Sequence, residues 1–194
     1  SEMCIRDSLL INASGDGLDA NGSIIINGGY IVVLGPTSDG DTAIDYDDSC
    51  TINGGTVMAF GSSGMLEIPK GASNGACIVT AFTSVSGGSK YTLSDSNGNE
   101  ILSYTPSKAY AAAIVYSDKI TTGNTYDITA GSTTLSIEVT SDVTSNVSSG
   151  LGKAGGMNMP GNGGSGMPNN GSSDNGMNGN SCLLYTSPSP RDCS

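Results

Sequence analysis

The chain contains no histidine and no tryptophan, and its 194 residues include only two phenylalanines. Without histidine, neither a Ser-His-Asp triad nor a Cys-His pair can be assembled. The Gly-rich loop that holds phosphate groups in P-loop proteins is also missing. The sequence therefore excludes these catalytic constellations.

Positive charge is scarce. Seven Lys and Arg residues stand against 18 Asp and Glu residues, which gives a net charge of −11. A chain this acidic is a poor partner for nucleic acid or for an anionic membrane surface, and no apolar run is long enough to span a membrane. The composition suits metal cations, or anionic ligands that are held through a bridging metal.

The two ends of the chain carry related coding sequence. Residues 182–192, CLLYTSPSPRD, can be encoded by DNA whose reverse complement, in another frame, reads SEMCIRDS, residues 1–8. This segment resembles the adapter of a transposase-based sequencing library, so we exclude 1–8 and 182–194 as adapter-derived. The rest, 9–181, is expected to be a piece of a longer gene. Both arginines and three of the 18 acidic residues lie in the excluded ends, which leaves five lysines and 15 acidic residues.

Two stretches of the chain are nearly copies of each other. Residues 15–35, GDGLDANGSIIINGGYIVVLG, align with residues 40–61, GDTAIDYDDSCTINGGTVMAFG, at an offset of 26. In each stretch a run rich in Ile, Val and Thr is followed by Asn-Gly-Gly and a second such run, which predicts strand, sharp turn and strand. So short a turn leaves no room for a crossover helix. The repeat therefore predicts a few coils of a truncated parallel β-helix over 9–66.

A different pattern begins after these repeats. Ala76–Val85, Ala111–Tyr116 and a hairpin turn at 96–99 predict an antiparallel, β-rich region over 67–147. Repeat arrays need an atypical terminal unit, so this region is expected to cap the coils. From 148 to 181 the chain is rich in Gly, Asn, Ser and Met, which predicts a disordered tail. The expected fold class is all-β.

Three of the five cysteines lie in the excluded ends, which leaves Cys50 and Cys77. Their separation along the chain is close to the length of one repeat, so the two thiols can lie near each other. Two small buried thiols are the favoured interpretation. Two cysteines do not settle the redox compartment.

Three segments together carry a family resemblance: GDGLDANGSIIINGGYIVVLGPT, AIDYDDSCTINGGTVMAFGSSGM, and the stretch from YTLSDSNGNEIL to PSKAYAAAIVYS. Over roughly 12–140 the chain resembles the C-terminal half of a bacterial carbohydrate-binding domain family. The resemblance implies a right-handed parallel β-helix, similar in shape to pectate lyases. It also implies a secreted or surface-attached protein that binds calcium and plant cell-wall polysaccharide, notably polygalacturonate or cellulose, without established cleavage.

Acidic residues concentrate in the repeats, where seven of the 15 retained acids lie between 16 and 48. Calcium takes about six to eight oxygen ligands. Asp19 and Asp45 hold equivalent positions, and neighbouring strands are about 4.8 Å apart, so their carboxylates can share one cation that offsets their repulsion. The recurrence in register and the lack of a nearby lysine favour calcium over the alternative of solvated turn residues. The predicted metal ligands are Asp16, Asp19, Asp41, Asp45, Asp47 and Asp48.

Candidate carbohydrate contacts lie in the same repeats. Tyr46, in the acidic loop, is the stronger candidate for stacking on a sugar ring, because Tyr30 begins an apolar run and is expected to be partly packed. Asn21 is a further polar candidate. Asn27 and Asn53 are interpreted as stacked turn residues that satisfy polar groups of neighbouring coils.

The sequence therefore predicts non-catalytic, calcium-dependent binding of an acidic plant cell-wall polysaccharide by an extracellular or cell-surface protein. A calcium-dependent lyase or hydrolase fragment stays open as an alternative. Lyases of similar fold use Arg or Lys beside calcium, whereas here Lys70 is the only lysine before residue 90. Asp45, Asp47 and Asp48 could mimic the acidic cluster of a hydrolase, but they do not identify a reaction. The other alternative is a surface adhesin whose coils calcium merely stiffens.

Overall fold

The computed structural model describes residues 8–147 and Tyr185–Thr186. All regular structure in these residues is β-strand, so the all-β prediction is confirmed. The strands of the repeats are β1 (Ser8–Asn12), β2 (Leu18–Ala20), β3 (Ser23–Ile26), β4 (Tyr30–Leu34), β5 (Ile44–Tyr46), β6 (Ser49–Ile52) and β7 (Thr56–Gly61). The later strands are β8 (Gly71–Ala72), β9 (Ala76–Val85), β10 (Tyr91–Asp95), β11 (Glu100–Tyr104), β12 (Tyr110–Ser117), β13 (Thr125–Ala130), β14 (Thr133–Glu138), β15 (Val143–Ser145) and β16 (Tyr185–Thr186).

Within this described part there is no helix that is long and apolar enough to cross a membrane. The tail predicted for 148–181 lies outside the described residues.

The two repeats stack on each other in register. Strands β2 and β5, β3 and β6, and β4 and β7 form three parallel pairs, and every pair joins equivalent positions of the two repeats. The register aligns Asp19 with Asp45 and Tyr30 with Thr56. The equivalence that the sequence repeat predicts is therefore confirmed at the level of strand pairing.

The Asn-Gly-Gly turns need glycine where the repeats touch. Gly29 and Gly55 have φ angles of 94° and 89°, in the region where side chains are strained. A Cβ atom on Gly55 would lie 2.3 Å from the carbonyl oxygen of Gly29. The turn backbones of successive repeats are therefore packed against each other without room for a side chain.

The central sheet has seven strands in the order β15-β9-β12-β7-β4-β1-β16. Strands β1, β4 and β7 run parallel, whereas β12 runs antiparallel to both β7 and β9. The sheet is thus mixed. It crosses from the repeats into the region beyond residue 66, because β9 and β12 extend the sheet that the repeats begin.

A separate antiparallel sheet has the strand order β11-β10-β13-β14. Residues 96–99 form the turn between β10 and β11, with Gly98 at a φ of 83°. This sheet and its turn agree with the antiparallel strands that the sequence predicts between residues 90 and 140.

Both faces of the seven-stranded sheet are buried. Along β4, Val32 packs into one apolar core and Val33 into another, and along β7 Phe60 and Ala59 divide in the same way. The first core is shared with β10 and β13 of the four-stranded sheet, and the second with β5 and β6. A sheet that is covered on both faces requires nearly continuous apolar strands, which is what β4, β7 and β12 provide.

Cys50 and Cys77 both lie in the second core, fully buried and unbonded to each other. Burial raises the pKa of the Cys50 thiol to about 11, and it raises the pKa of Cys77 further in the same direction. The interpretation of two buried thiols is confirmed.

Candidate functional site

Two short paired strands carry two of the predicted metal ligands. Asp19 on β2 lies directly opposite Asp45 on β5, so the two side chains point to the same side at positions about 4.8 Å apart along the sheet. Asp19 is exposed and Asp45 is half-buried. The predicted pairing of these residues is confirmed, although strands rather than a loop carry them.

Asn21 and Asp47 lie just beyond these strands, at equivalent positions in the two repeats, and both are exposed. The backbone N–H of Asp47 donates to the carbonyl of Ala20 at 3.2 Å, which continues the contact between the repeats. The chain bends at both positions, and the backbone N–H of Gly22 donates to the carbonyl of Ala20 at 2.7 Å. Asp19, Asn21, Asp45 and Asp47 thus lie close together along the two stacked repeats, and this oxygen-rich surface is called the acidic face below.

Asp16 and Asp41 have structural contacts at the start of the repeats. Asp16 Oδ1 accepts a hydrogen bond from the backbone N–H of Thr42 at 2.8 Å. The backbone carbonyl of Asp41 accepts one from Ser62 Oγ at 2.9 Å. The offset of the repeat aligns Asp16 with Thr42, so Asp16 and Asp41 are not an equivalent pair like Asp19 and Asp45.

Two charged residues that sequence reasoning missed lie beside the acidic face. Glu67 Oε2 accepts a hydrogen bond from the backbone N–H of Tyr46 at 3.0 Å. The Lys70 ammonium donates to the backbone carbonyl of Asp48, whose side chain is exposed, and it lies 5.7 Å from the centre of the Tyr46 ring. That distance is within the range of a cation–π contact. The expectation that no lysine lies near the acidic residues is therefore wrong.

The position of Glu67 and Lys70 follows from a shortened third turn of the chain. Strand β8 stacks on β6 with Gly71 opposite Thr51, a smaller offset than the one that relates the two repeats. Sequence similarity at a constant period cannot find such a unit. The usable signal was Lys70 itself, a rare cation immediately before a short strand.

The exposure of the two tyrosines reverses their predicted ranking as residues that could stack on a sugar ring. Tyr46 is only 7% exposed, and its hydroxyl donates to the carbonyl of Ile68 at 2.5 Å. Burial raises the pKa of Tyr46 to about 12. Tyr30 is 45% exposed. It is the first residue of β4, and the apolar residues that follow it on this strand fill the core. Tyr30, not Tyr46, presents a ring that a sugar can reach.

Asn27 and Asn53 form a ladder across the turns. Asn53 Nδ2 donates to Asn27 Oδ1 at 2.9 Å, and Ser73 Oγ donates to Asn53 Oδ1 at 2.9 Å. Asn74 Nδ2 also donates to the Asn53 carbonyl at 2.9 Å. The interpretation of stacked turn asparagines is confirmed.

Among residues 8–147, no three acidic or thiol side chains converge closely enough to hold a metal ion by themselves. Asp19 and Asp45 provide two carboxylates, whereas calcium takes about six to eight oxygens. Asn21 and Asp47 add oxygen donors at the same edge. The remaining ligands would have to be water or oxygens of a bound molecule, so the chemistry of the acidic face suits an open, bridging calcium site.

No family model, curated protein or solved structure matches this chain. The resemblance to a carbohydrate-binding family therefore stays a prediction. A function has to be inferred from the molecule's own geometry, above all from the acidic face and the lysine beside it.

Proposed function

We propose that this chain is a non-catalytic, calcium-dependent polysaccharide-binding module of an extracellular or cell-surface protein. The register of Asp19 against Asp45 carries the proposal. Two carboxylates at neighbouring positions repel each other, and a cation between them offsets that repulsion. Asn21 and Asp47 add oxygen at the same edge, which favours a hard cation such as calcium.

For residues 9–66 we propose a right-handed parallel β-helix. Three parallel strand pairs that share one common offset support it, as do connecting turns that are too short to hold a helix. The right hand is that of nearly all crossover connections between parallel strands. In such a solenoid the acidic face lies along one side, where a linear polymer can follow the stacked coils.

A polymer that contains uronic acid is the favoured ligand. The net charge of −11 repels an anionic polymer, so close contact requires a cation between them. Calcium held by Asp19 and Asp45 would keep open coordination positions, and a uronate carboxylate can occupy them in place of water. The exposed ring of Tyr30 lies on the face of β4 that carries Val32, opposite the face covered by β5, so it could contact a sugar only outside the acidic face. A neutral polymer such as cellulose would gain nothing from the calcium and is the natural comparison.

Affinity electrophoresis of the full chain tests this function. In gels that contain polygalacturonate we expect retardation with calcium and none with EDTA. The double variant Asp19→Asn, Asp45→Asn should migrate freely in both gels. The variant Asp118→Asn, Glu138→Gln removes two exposed acids elsewhere and should stay retarded. Free migration of the unaltered chain in calcium, with folding verified by circular dichroism, would contradict glycan binding. Calcium-dependent melting without retardation would instead identify a calcium-stiffened adhesin.

The position of Lys70 favours a polysaccharide lyase as the second candidate. Its ammonium lies beside the Tyr46 ring and the backbone carbonyl of Asp48, which is close along the chain to Asp45, and lyases need a base near calcium to remove a proton from the uronate. Incubation with polygalacturonate and calcium distinguishes the two candidates. Unsaturated products that disappear in Lys70→Gln would establish the lyase, whereas retention without products supports the binding module.

A further inference from the structure

The four-stranded sheet carries a groove that is separate from the acidic face. It lies between the β10–β11 turn and the segment that joins β12 to β13, and it encloses about 250 Å³. This is below the range of roughly 300–1,000 Å³ that is typical of sites for drug-sized ligands. The groove, called the distal groove below, therefore has room for a small unit such as a single sugar rather than for an extended chain.

The walls of the distal groove are held by hydrogen bonds within each wall. On one side, Asp95 Oδ1 accepts from the backbone N–H groups of Asn97 and Asn99 at 2.8 and 2.9 Å. On the other side, the Tyr126 hydroxyl accepts from the backbone N–H of Thr121 at 2.8 Å. Because these contacts already fix both walls, a ligand would not have to order them.

Lys119 lines this groove, and it is the described lysine whose ammonium has no partner among residues 8–147. The others are engaged. Lys70 contacts the carbonyl of Asp48, Lys90 pairs with Glu100 at 2.9 Å, and Lys108 donates to two backbone carbonyls. In an acidic protein, an unpaired cation in a groove is suited to an anionic group of a ligand.

The other lining groups are suited to sugar hydroxyls. Asn97 and Thr125 are exposed, and the Thr125 hydroxyl makes no hydrogen bond within the described residues. The Asn97 side chain hydrogen-bonds to Asp95 and keeps further donor and acceptor capacity. Asp95 Oδ2 accepts one hydrogen bond, from Asn99 Nδ2 at 2.8 Å, and has room for a second. The groove thus combines one cation, an amide, a hydroxyl and a carboxylate oxygen around a space of sugar size.

We propose that the distal groove binds one carboxylated sugar unit without calcium, with Lys119 pairing with the carboxylate and Asn97 and Thr125 hydrogen-bonding to hydroxyls. The choice of a uronate sugar rests on the proposed function, whereas the site and its independence of calcium do not. A polymer held at the acidic face through calcium would gain a second, direct contact here.

Titration of the full chain with tri-galacturonate in EDTA tests this site by NMR. We expect saturable shift changes in 95–101 and 117–126, and a loss of affinity of about tenfold in Lys119→Gln, the order expected for one charge-assisted hydrogen bond. Lys90→Gln removes an exposed, ion-paired lysine of the same sheet and should change the affinity by less than about twofold, as for a surface ion pair. The absence of saturable shifts in EDTA would overturn the proposal, and so would an equal loss in Lys90→Gln.

The same variants separate this proposal from the proposed function. Lys119→Gln should keep calcium-dependent retardation in polygalacturonate gels, and Asp19→Asn with Asp45→Asn should keep the binding of tri-galacturonate in EDTA. If tri-galactose, which lacks the carboxylate, binds as tightly as tri-galacturonate, the assigned role of Lys119 is wrong.

Discussion

The hydrogen bonds of polar side chains join distant residues in the repeats but nearby residues in the four-stranded sheet. In the repeats they join equivalent positions of successive copies, through the pairs Asp16 and Thr42, Ser23 and Ser49, and Asn27 and Asn53. In the four-stranded sheet the corresponding bonds are local along the chain, as in Asp95 with Asn99 and Lys90 with Glu100.

This difference in contact range has consequences for stability. A repeat cannot satisfy its own polar groups and depends on the next repeat, so its contacts form only after a long loop is closed. The hairpins of the four-stranded sheet complete their contacts locally. A defect in a repeat turn should therefore disturb its neighbours, whereas a similar defect in a hairpin should stay local.

The largest effect is expected for Gly55→Ala. The new Cβ atom would collide with the Gly29 carbonyl, 2.3 Å away, at a φ of 89°. Strain and overpacking together should lower the free energy of unfolding by about 3 kcal/mol or more, measured by urea denaturation. Gly98→Ala has the same strain with no atom within 4 Å, and should cost only about 1 kcal/mol. Equal losses would show that close stacking of the turns contributes nothing.

An intermediate effect is expected for Asn53→Ala, which removes a rung of the asparagine ladder. Two side-chain hydrogen bonds, to Asn27 and from Ser73, are lost, which should cost about 1–2 kcal/mol in urea denaturation. Ser96→Ala in the hairpin turn is the matched control, because Ser96 is exposed and its hydroxyl makes no hydrogen bond within the described residues, and it should leave stability unchanged. A similar loss in both variants would contradict the contrast between the two regions.

Removing a tyrosine hydroxyl should lower the stability at one position and leave it unchanged or raise it at another. Tyr46→Phe loses the hydrogen bond to Ile68 and should cost about 1 kcal/mol. Tyr110→Phe removes a buried hydroxyl that has no partner among the described residues, so stability should stay the same or rise. Thermal melting of both variants beside the unaltered chain measures the difference. Destabilisation by Tyr110→Phe would indicate a partner for its hydroxyl.

The smallest effect is an acid transition confined to the β10–β11 turn. Hydrogen bonds from the Asn99 side chain, and then from the backbone N–H groups of Asn99 and Asn97, lower the pKa of Asp95. Its contribution to stability is therefore present above the usual aspartate pKa, about 3.9, and is lost as the pH falls through the lower folded value. The amide signals of Asn97 and Asn99 should shift in that window. Asp95→Asn should remove the shift, and persistence of the shift would assign it to another acid.

Much of the strand pattern could be predicted from local sequence. The strand predicted at Ala76–Val85 has the same ends in β9, and the one predicted at Ala111–Tyr116 lies within β12. The hairpin turn at 96–99 was equally clear, because Asn-Gly accepts a positive φ. What these segments could not reveal is that β9 and β12 join the sheet of the repeats. Apolar strands of similar composition do not specify their partners, and the pairing is decided when both faces of the sheet are covered.

The acidic face, too, could be predicted from the sequence only in part. Asp19 and Asp45 could be paired from the repeat alone, because a constant offset fixes the register wherever two copies stack. The placement of Lys70 could not, since the third turn of the chain departs from that period.

The sequence by itself determined the repeat, its register and the stacked side chains that follow from it, because periodicity is a property of neighbouring copies along the chain. Only the tertiary structure decided which tyrosine is accessible, which lysine contacts the backbone of the acidic loop and which lysine is left unpaired in the distal groove. These outcomes depend on how segments without a common period pack together, and burial, unlike register, is a property of the whole core.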